Sequence, residues 1–101
     1  MQFRQGDILL IMTDDSTTTG AKIRGENRRL ILARGEVTGH HHSVLEDDAE
    51  LIQEGERMLL TVIRETHLQH QEHGAITLPP GTYIVRRQRE YSPEAIRNVA
   101  D

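Results

Sequence analysis

The sequence predicts an all-β fold, a small antiparallel β-barrel or sandwich. About eight short segments are apolar or alternate between apolar and polar residues, and turn signals separate them at intervals of roughly ten residues. No segment before the C-terminal tail shows a sustained helical period. With 101 residues, the chain has the length of one hydrophobic core, so we expect a single domain over residues 1–101.

The first strands are predicted from short apolar runs. Residues 7–12 form such a run after a glycine and are too few for a helix, so we expect a strand that is buried on both faces. Residues 13–29 are rich in Thr, Asp, Ser and Gly and predict a flexible loop. The strand pattern resumes at residues 30–33 and continues towards Gly39, where the missing side chain permits a bulge or a tight turn.

The middle of the chain predicts a pair of hairpins. An acidic turn at residues 46–48 separates short apolar segments at 43–45 and 49–52. Residues 53–56 contain a glycine among polar residues and predict the loop of a hairpin. Its second strand is expected at residues 57–64, where apolar positions alternate.

The last strands are predicted around a proline corner. Residues 67–71 and 75–78 are short strand candidates, and Pro-Pro-Gly at 79–81 marks a corner because proline cannot donate to a central ladder. Residues 82–91 are the longest strand candidate. The tail, 92–101, starts with a serine N-cap and a proline, so it predicts a short C-terminal helical turn.

Composition excludes several classes of protein. Lys and Arg number 12 against 16 for Asp and Glu, a net charge of −4, which disfavours a globally cationic binder of nucleic acid or membranes. The only local basic strip is Arg86, Arg87 and Arg89, and it covers both faces of one predicted strand, so nucleic-acid contact there is disfavoured. No signal-like leader and no membrane-length apolar run is present, and we expect a cytoplasmic protein with no membrane partner.

Histidine is the one compositional excess. The chain has no cysteine, so any metal site must use histidine and carboxylate, and its 6 histidines are confined to the middle of the chain. His40 and His42 are two residues apart and project from the same face of an extended strand. His70 and His73 are separated by two residues across a turn and can face one point. The spacing predicts that these four histidines bind a divalent metal, which would be zinc, nickel, manganese or iron.

Glu72 and Glu46 are the carboxylates nearest in sequence, and we expect one of them to be an alternative ligand or a hydrogen-bonding partner of the ligands. If the metal has an open position, Glu72 is the candidate general base, and a closed four-histidine site would be structural. His41 and His67 are interpreted as solvated. Whether the protein is an enzyme, and on which small molecule it acts, stays open.

A second class of function fits the same residues. The histidines can form a hydrogen-bonded network without metal, and the Ile, Leu and Val strands can build the interface of a homo-oligomer. The protein would then be a non-enzymatic assembly or interaction module. No phosphate-binding glycine loop and no nucleophile motif favours a further class.

Three stretches give the chain a family resemblance. The first is Gln-Gly-Asp-Ile-Leu-Leu at residues 5–10, and the second is Gly-Glu-Val-Thr-Gly-His-His-His at residues 35–42. The third runs from His70 through Glu72, His73 and Pro-Pro-Gly to Tyr83 and continues at residues 87–91. The chain resembles a family of small uncharacterised proteins of bacteria and phages with T-G-H-x-H and H-x-E-H-G-x-I-x-L-P-P-G-x-Y elements. The resemblance implies that five residues belong to a shared pattern: His40, His42, His70, Glu72 and His73.

Two weaker resemblances concern the fold. His40, His42, Glu46 and the turn at 79–81 are similar to the first motif and the turn of cupins, although the last cupin histidine has no match here. The Gln-Gly-Asp at residues 5–7, taken with a later Gly-Glu-Val, is similar to the co-chaperonin barrel. The second likeness implies a ring-forming module without chemistry.

Overall fold

A computed structural model describes residues 1–15, 19–35 and 39–88 of the chain. These residues form antiparallel β-structure with one short 3-10 turn at Glu46–Asp48 and no α-helix, so the all-β prediction is confirmed. The strands are β1 (Gln2–Gln5), β2 (Ile8–Thr13), β3 (Ala21–Ile23), β4 (Arg29–Arg34), β5 (His41–Leu45), β6 (Ala49–Glu54), β7 (Arg57–Val62), β8 (Thr66–Leu68), β9 (Ile76–Leu78) and β10 (Gly81–Arg87). None of the described segments is a helix able to cross a membrane.

The strands are arranged in three sheets. The largest has six strands in the order β1-β2-β10-β7-β6-β3, and β4-β5 and β8-β9 are two-stranded. Within the described residues β1 and β3 each have a single neighbour, so the large sheet is open at both edges. Of the two predicted arrangements, barrel or sandwich, the barrel is therefore wrong. Closure requires the edge strands to pair with one another, and here they lie at opposite ends of the strand order.

Aliphatic side chains fill the core. Leu, Ile and Val residues from β2, β4, β5, β6, β7, β8 and β9 are joined by one buried aromatic residue, Tyr83. The Tyr83 hydroxyl donates a hydrogen bond of 2.6 Å to the carbonyl of Pro79, and its ring meets Phe3 edge-on at 6.0 Å. Tyr83 therefore anchors the predicted proline corner between β9 and β10 to the core.

Most predicted strands are present, with changed limits. The predicted hairpin loop joins β6 to β7, and its Gly55 has a φ of 61°, a left-handed conformation that favours glycine. Part of the predicted 13–29 loop is strand, because β2 continues to Thr13 and β3 pairs with β6. Strand β1 was not predicted, and the helical turn expected at 92–101 lies outside the described residues.

Three segments meet around His42. The β1–β2 turn contains Gly6, β5 follows directly on His40, and a third segment at residues 69–75 connects β8 to β9. Ser43 and Gln69 exchange two backbone hydrogen bonds of 3.0 and 2.9 Å, which fasten the third segment to β5. This junction holds the candidate site.

Candidate functional site

The structure places four of the predicted site residues next to one another. The ring of His70 lies 4.4 Å from that of His42, 4.7 Å from His73 and 5.6 Å from His40, measured between centroids. The rings of His42 and His73 are nearly parallel at 6.2 Å. We call these four side chains the histidine cluster.

His42 is the most deeply placed member, with 4% of its surface exposed. Its Nδ1 lies 2.8 Å from Oε1 of the buried Gln5. The Gln5 amide donates both of its hydrogens, to the carbonyl of Leu68 at 3.0 Å and to that of Gly74 at 2.9 Å. Because the amide nitrogen is fully used, Oε1 must accept, and Nδ1 of His42 carries the hydrogen.

The other ring nitrogen of His42 faces a carboxylate. Nε2 lies 3.3 Å from Oδ1 of Asp7. Burial, followed by the charge of His70, lowers the pKa of His42 from 6.5 to about 4, although Asp7 acts in the opposite direction. The ring is therefore neutral at pH 7, and the pair is not an ordinary ion pair. With the hydrogen on Nδ1, Nε2 and Oδ1 are two hydrogen-bond acceptors that face each other.

Arg87 favours the ionised form of Asp7. Burial acts to raise the pKa of Asp7, but hydrogen bonds and nearby charges, those of Arg87 foremost, lower it, and the net shift is downward. Nε of Arg87 donates to Oδ2 of Asp7 at 2.9 Å, and its guanidinium also donates to the carbonyl of Arg34. Arg87 belongs to the basic strip for which nucleic-acid contact was considered and disfavoured, and here it has a structural role. Of the other two arginines of that strip, Arg86 is exposed and Arg89 lies outside the described residues.

Because Gly6 has no side chain, the rings of His42 and His73 can approach each other beside it. A Cβ atom built on Gly6 would lie 2.7 Å from Nε2 of His73 and 3.4 Å from Cε1 of His42. The φ of Gly6 is 59°, in the left-handed region. A side chain at this position would therefore fill the gap between the two rings.

His70 is engaged with the backbone. Its Nδ1 accepts hydrogen bonds from the amides of Glu72 at 3.0 Å and His73 at 3.4 Å, so the hydrogen of the neutral ring is on Nε2. His70 has no free lone pair in this arrangement. Across residues 1–15, 19–35 and 39–88, no three histidine or carboxylate side chains are already arranged as a set of metal ligands.

The two predicted glutamates lie in different places. Oε1 of Glu72 is 3.6 Å from Nδ1 of His40, so this exposed carboxylate borders the cluster. Glu46 instead accepts a hydrogen bond of 2.8 Å from the amide of Gly25, and the structure does not bring it to the histidine rings. His67 is exposed on β8.

Sequence reasoning missed Gln5 and Asp7 as site residues. Both flank Gly6, and the stretch that contains them was noted only for its resemblance to other proteins. One feature of the sequence could have indicated them: two polar residues, a glutamine and an aspartate, flank a glycine immediately before a buried apolar strand. Their pairing with His42 depends on tertiary structure, because 37 and 35 positions separate them from it.

Comparison with models of known protein families shows which family the chain belongs to. A family model described as a domain of unknown function, DUF8820, matches residues 4–88. The chain belongs to the DUF8820 family. The DUF8820 match includes the whole histidine cluster together with Gln5, Asp7 and Arg87. No curated protein and no solved structure matches the chain. Membership in DUF8820 agrees with the resemblance to an uncharacterised family and brings no activity with it.

Proposed function

We propose that this DUF8820 domain binds a divalent transition-metal ion at the histidine cluster, with His42 Nε2 and Asp7 Oδ1 as two of the ligands. The observation that carries the proposal is the separation of 3.3 Å between these two acceptor atoms. Two facing acceptors repel each other unless a cation or a shared hydrogen lies near both. Imidazole and carboxylate are ligands that zinc, nickel, iron and manganese accept.

The hydrogen bond on the far side of His42 supports this proposal. Histidines that bind metals usually donate their other ring N–H to a carbonyl or carboxylate, which fixes the tautomer and the orientation of the ring. His42 donates Nδ1–H to the side-chain oxygen Oε1 of Gln5, at 2.8 Å. Gln5 is in turn held by two backbone carbonyls, so Nε2 is presented to the site without reorganisation of the core.

The remaining ligands come from the other rings. His73 is the next candidate because its Nε2 borders the gap above Gly6. His40 lies beside Glu72, which would then be a hydrogen-bonding partner of a ligand, or a general base if the metal also holds a water. His70 can join only if its Nδ1 releases the backbone amides of Glu72 and His73. The four-histidine set would therefore be completed by movement of the three less buried rings around His42.

The test is metal binding by protein that is purified without an affinity tag. Chelator-treated protein is titrated with Zn²⁺, Ni²⁺, Mn²⁺ and Fe²⁺, and bound metal is measured by elemental analysis after dialysis. We expect about one equivalent of at least one metal. Asp7→Asn and His73→Ala are expected to weaken binding by roughly 10- to 100-fold.

His67→Ala is the matched control, because His67 is an exposed histidine outside the cluster. Asn at position 7 can donate an N–H to His42 Nε2 while removing the charged ligand, so this variant is expected to fold. Less than a tenth of an equivalent in the wild-type protein after loading would overturn the proposal. So would equal affinities in Asp7→Asn and His67→Ala.

A metal-free histidine network in an oligomeric module is the second candidate. The bonds from the backbone amides of Glu72 and His73 to His70 Nδ1 favour it, because they already give His70 a structural role. Light scattering coupled to size-exclusion chromatography tests it. A chelator-treated protein that is an oligomer in the wild type and a monomer in His70→Ala supports this candidate, and a strict monomer excludes it.

A further inference from the structure

A cleft that is lined by six polar residues and Ala75 adjoins the histidine cluster. It has a volume of about 380 Å³ and lies between β5 and the segment at residues 69–75. Its lining includes Arg29, His41, Ser43, Gln69, His70 and Gln71. We call it the Arg29 cleft. A volume of this size suits a small ligand.

One edge of the Arg29 guanidinium is fixed by hydrogen bonds to Ser43. Nε donates to Oγ of the buried Ser43 at 2.6 Å, and Nη2 donates to the carbonyl of the same residue at 3.0 Å. These two N–H groups form one of the two forked edges of a guanidinium. The other fork, an N–H of Nη1 and the second N–H of Nη2, has the spacing that binds the two oxygens of an oxyanion.

Arg29 has no acidic partner in the part of the chain that the structure describes. The hydrogen bonds of its guanidinium to described residues are to Ser43, and it forms no ion pair with a described carboxylate. None of the described residues that line the cleft is acidic. In a chain with a net charge of −4, the Arg29 cleft is therefore a local site of positive charge.

His41 contributes two features to the wall of the cleft, a hydrogen bond that fixes the 69–75 segment and a polar atom without a partner among the described residues. The backbone amide of His41 donates to Oε1 of Gln71 at 2.8 Å, which ties the 69–75 segment to β5 a second time. Nδ1 of His41 is buried and, among the described residues, has no hydrogen-bond partner. Buried polar atoms normally have one, so a rotation of the His41 ring that brings Nδ1 to the cleft would let a polar ligand group satisfy it.

From these contacts we infer that the Arg29 cleft binds a small oxyanion, a carboxylate or phosphate group, through the outer fork of Arg29. This goes beyond the proposed metal site, because the anion site needs only Arg29 and the fixed walls of the cleft. The two sites share His70, which lines the cleft and contacts the ring of His42. A ligand anchored on Arg29 would thus extend towards the histidine cluster.

The experiment measures anion binding first to the metal-free protein and then after zinc loading. The chelator is removed by desalting, because its own carboxylates would compete, and ¹⁵N-labelled protein is titrated at low ionic strength with succinate, inorganic phosphate and neutral acetamide. We expect saturable shifts of the Arg29 Nε–H signal and of the Gln69 and Gln71 amides with at least one anion and none with acetamide. The comparison of succinate with phosphate identifies the preferred oxyanion.

Two substitutions and one control locate the site. Arg29→Gln removes the charge and Arg29→Lys keeps the charge but loses the fork, so both are expected to weaken binding at least about tenfold. Arg86→Gln removes an exposed arginine of β10 that does not line the cleft, and it is expected to change affinity less than twofold. Retained amide dispersion shows that each variant is folded.

Three outcomes would overturn the inference: no saturable binding of either anion, equal losses in Arg86→Gln and Arg29→Gln, or binding that requires zinc and persists in Arg29→Gln. The last result would mean that the anion binds a metal rather than Arg29. Failure of the metal proposal is a separate result, because anion binding is measured first without metal and then after zinc loading.

Discussion

Gln5 decides which nitrogen of His42 faces the site. A glutamine amide whose two hydrogens are donated to Leu68 and Gly74 has only its oxygen left, and that oxygen takes the hydrogen of Nδ1. The ring can then offer only Nε2, next to Asp7. The buried side-chain amide of Gln5 thus selects one of the two tautomers of His42 and leaves the lone pair of Nε2 directed at the site.

The pKa of His42 predicts how stability depends on pH at this residue. The unfolded chain protonates the ring near its ordinary pKa of 6.5, and the folded chain only near 4. Between these values the unfolded state binds more protons, so the free energy of unfolding of metal-free protein falls as the pH is lowered from 6.5 to 4. The loss through His42 is on the order of 2–3 kcal/mol, since each pKa unit corresponds to about 1.4 kcal/mol.

Urea unfolding at pH 7.0 and 4.5 measures this loss. Burial and the charge of His73 also lower the pKa of His70, so the comparison needs a variant that isolates His42. His42→Gln keeps an N–H donor for Gln5 and does not titrate, and its stability is expected to change less over the same range. An undiminished loss in His42→Gln would contradict the assignment to this ring.

The β1–β2 turn forms one wall of the site, and a substitution at Gly6 would test that role. Gly6→Ala introduces a left-handed alanine, costing roughly 1–2 kcal/mol, and a methyl group 2.7 Å from Nε2 of His73. We expect a loss of stability together with weaker metal binding. Denaturant unfolding and metal titration measure the two effects separately.

Gly55 supplies the matched control for this prediction. Its φ of 61° is nearly the same as that of Gly6, but a Cβ there would have nothing within 4 Å. Gly55→Ala is therefore expected to cost similar stability and to leave metal affinity unchanged. If both variants bind metal as the wild type does, Gly6 does not shape the site.

The same elements show what could be predicted from sequence. The β6–β7 hairpin was predicted because its glycine stands between two alternating segments, and the four histidines were predicted because strand spacing puts two of them on one face. Strands β1 and β3 have four and three residues, too few for a period to be recognised. Asp7 and Gln5 were missed as site residues because only tertiary contacts bring them to His42.

For the whole molecule, a bound metal would join three parts of an open fold. Its ligands lie on the β1–β2 turn, at β5 and on the segment between β8 and β9. Because a ligand that binds only the folded state stabilises it, zinc at 100 times its dissociation constant should add about 2.7 kcal/mol. A thermal scan should show a higher Tm with zinc in the wild type and little change in Asp7→Asn, and added chelator should reverse the increase.

The ion pair between Asp7 and Arg87 spans 80 positions of the chain. During synthesis Asp7 emerges early, whereas its guanidinium partner is made only when β10 is complete. Until then Asp7 has no guanidinium partner, and the tautomer of His42 is not fixed before Leu68 and Gly74, which orient Gln5, have been made. A nascent chain would therefore have the histidines before it has the site, and metal loading would follow translation of almost the entire described region.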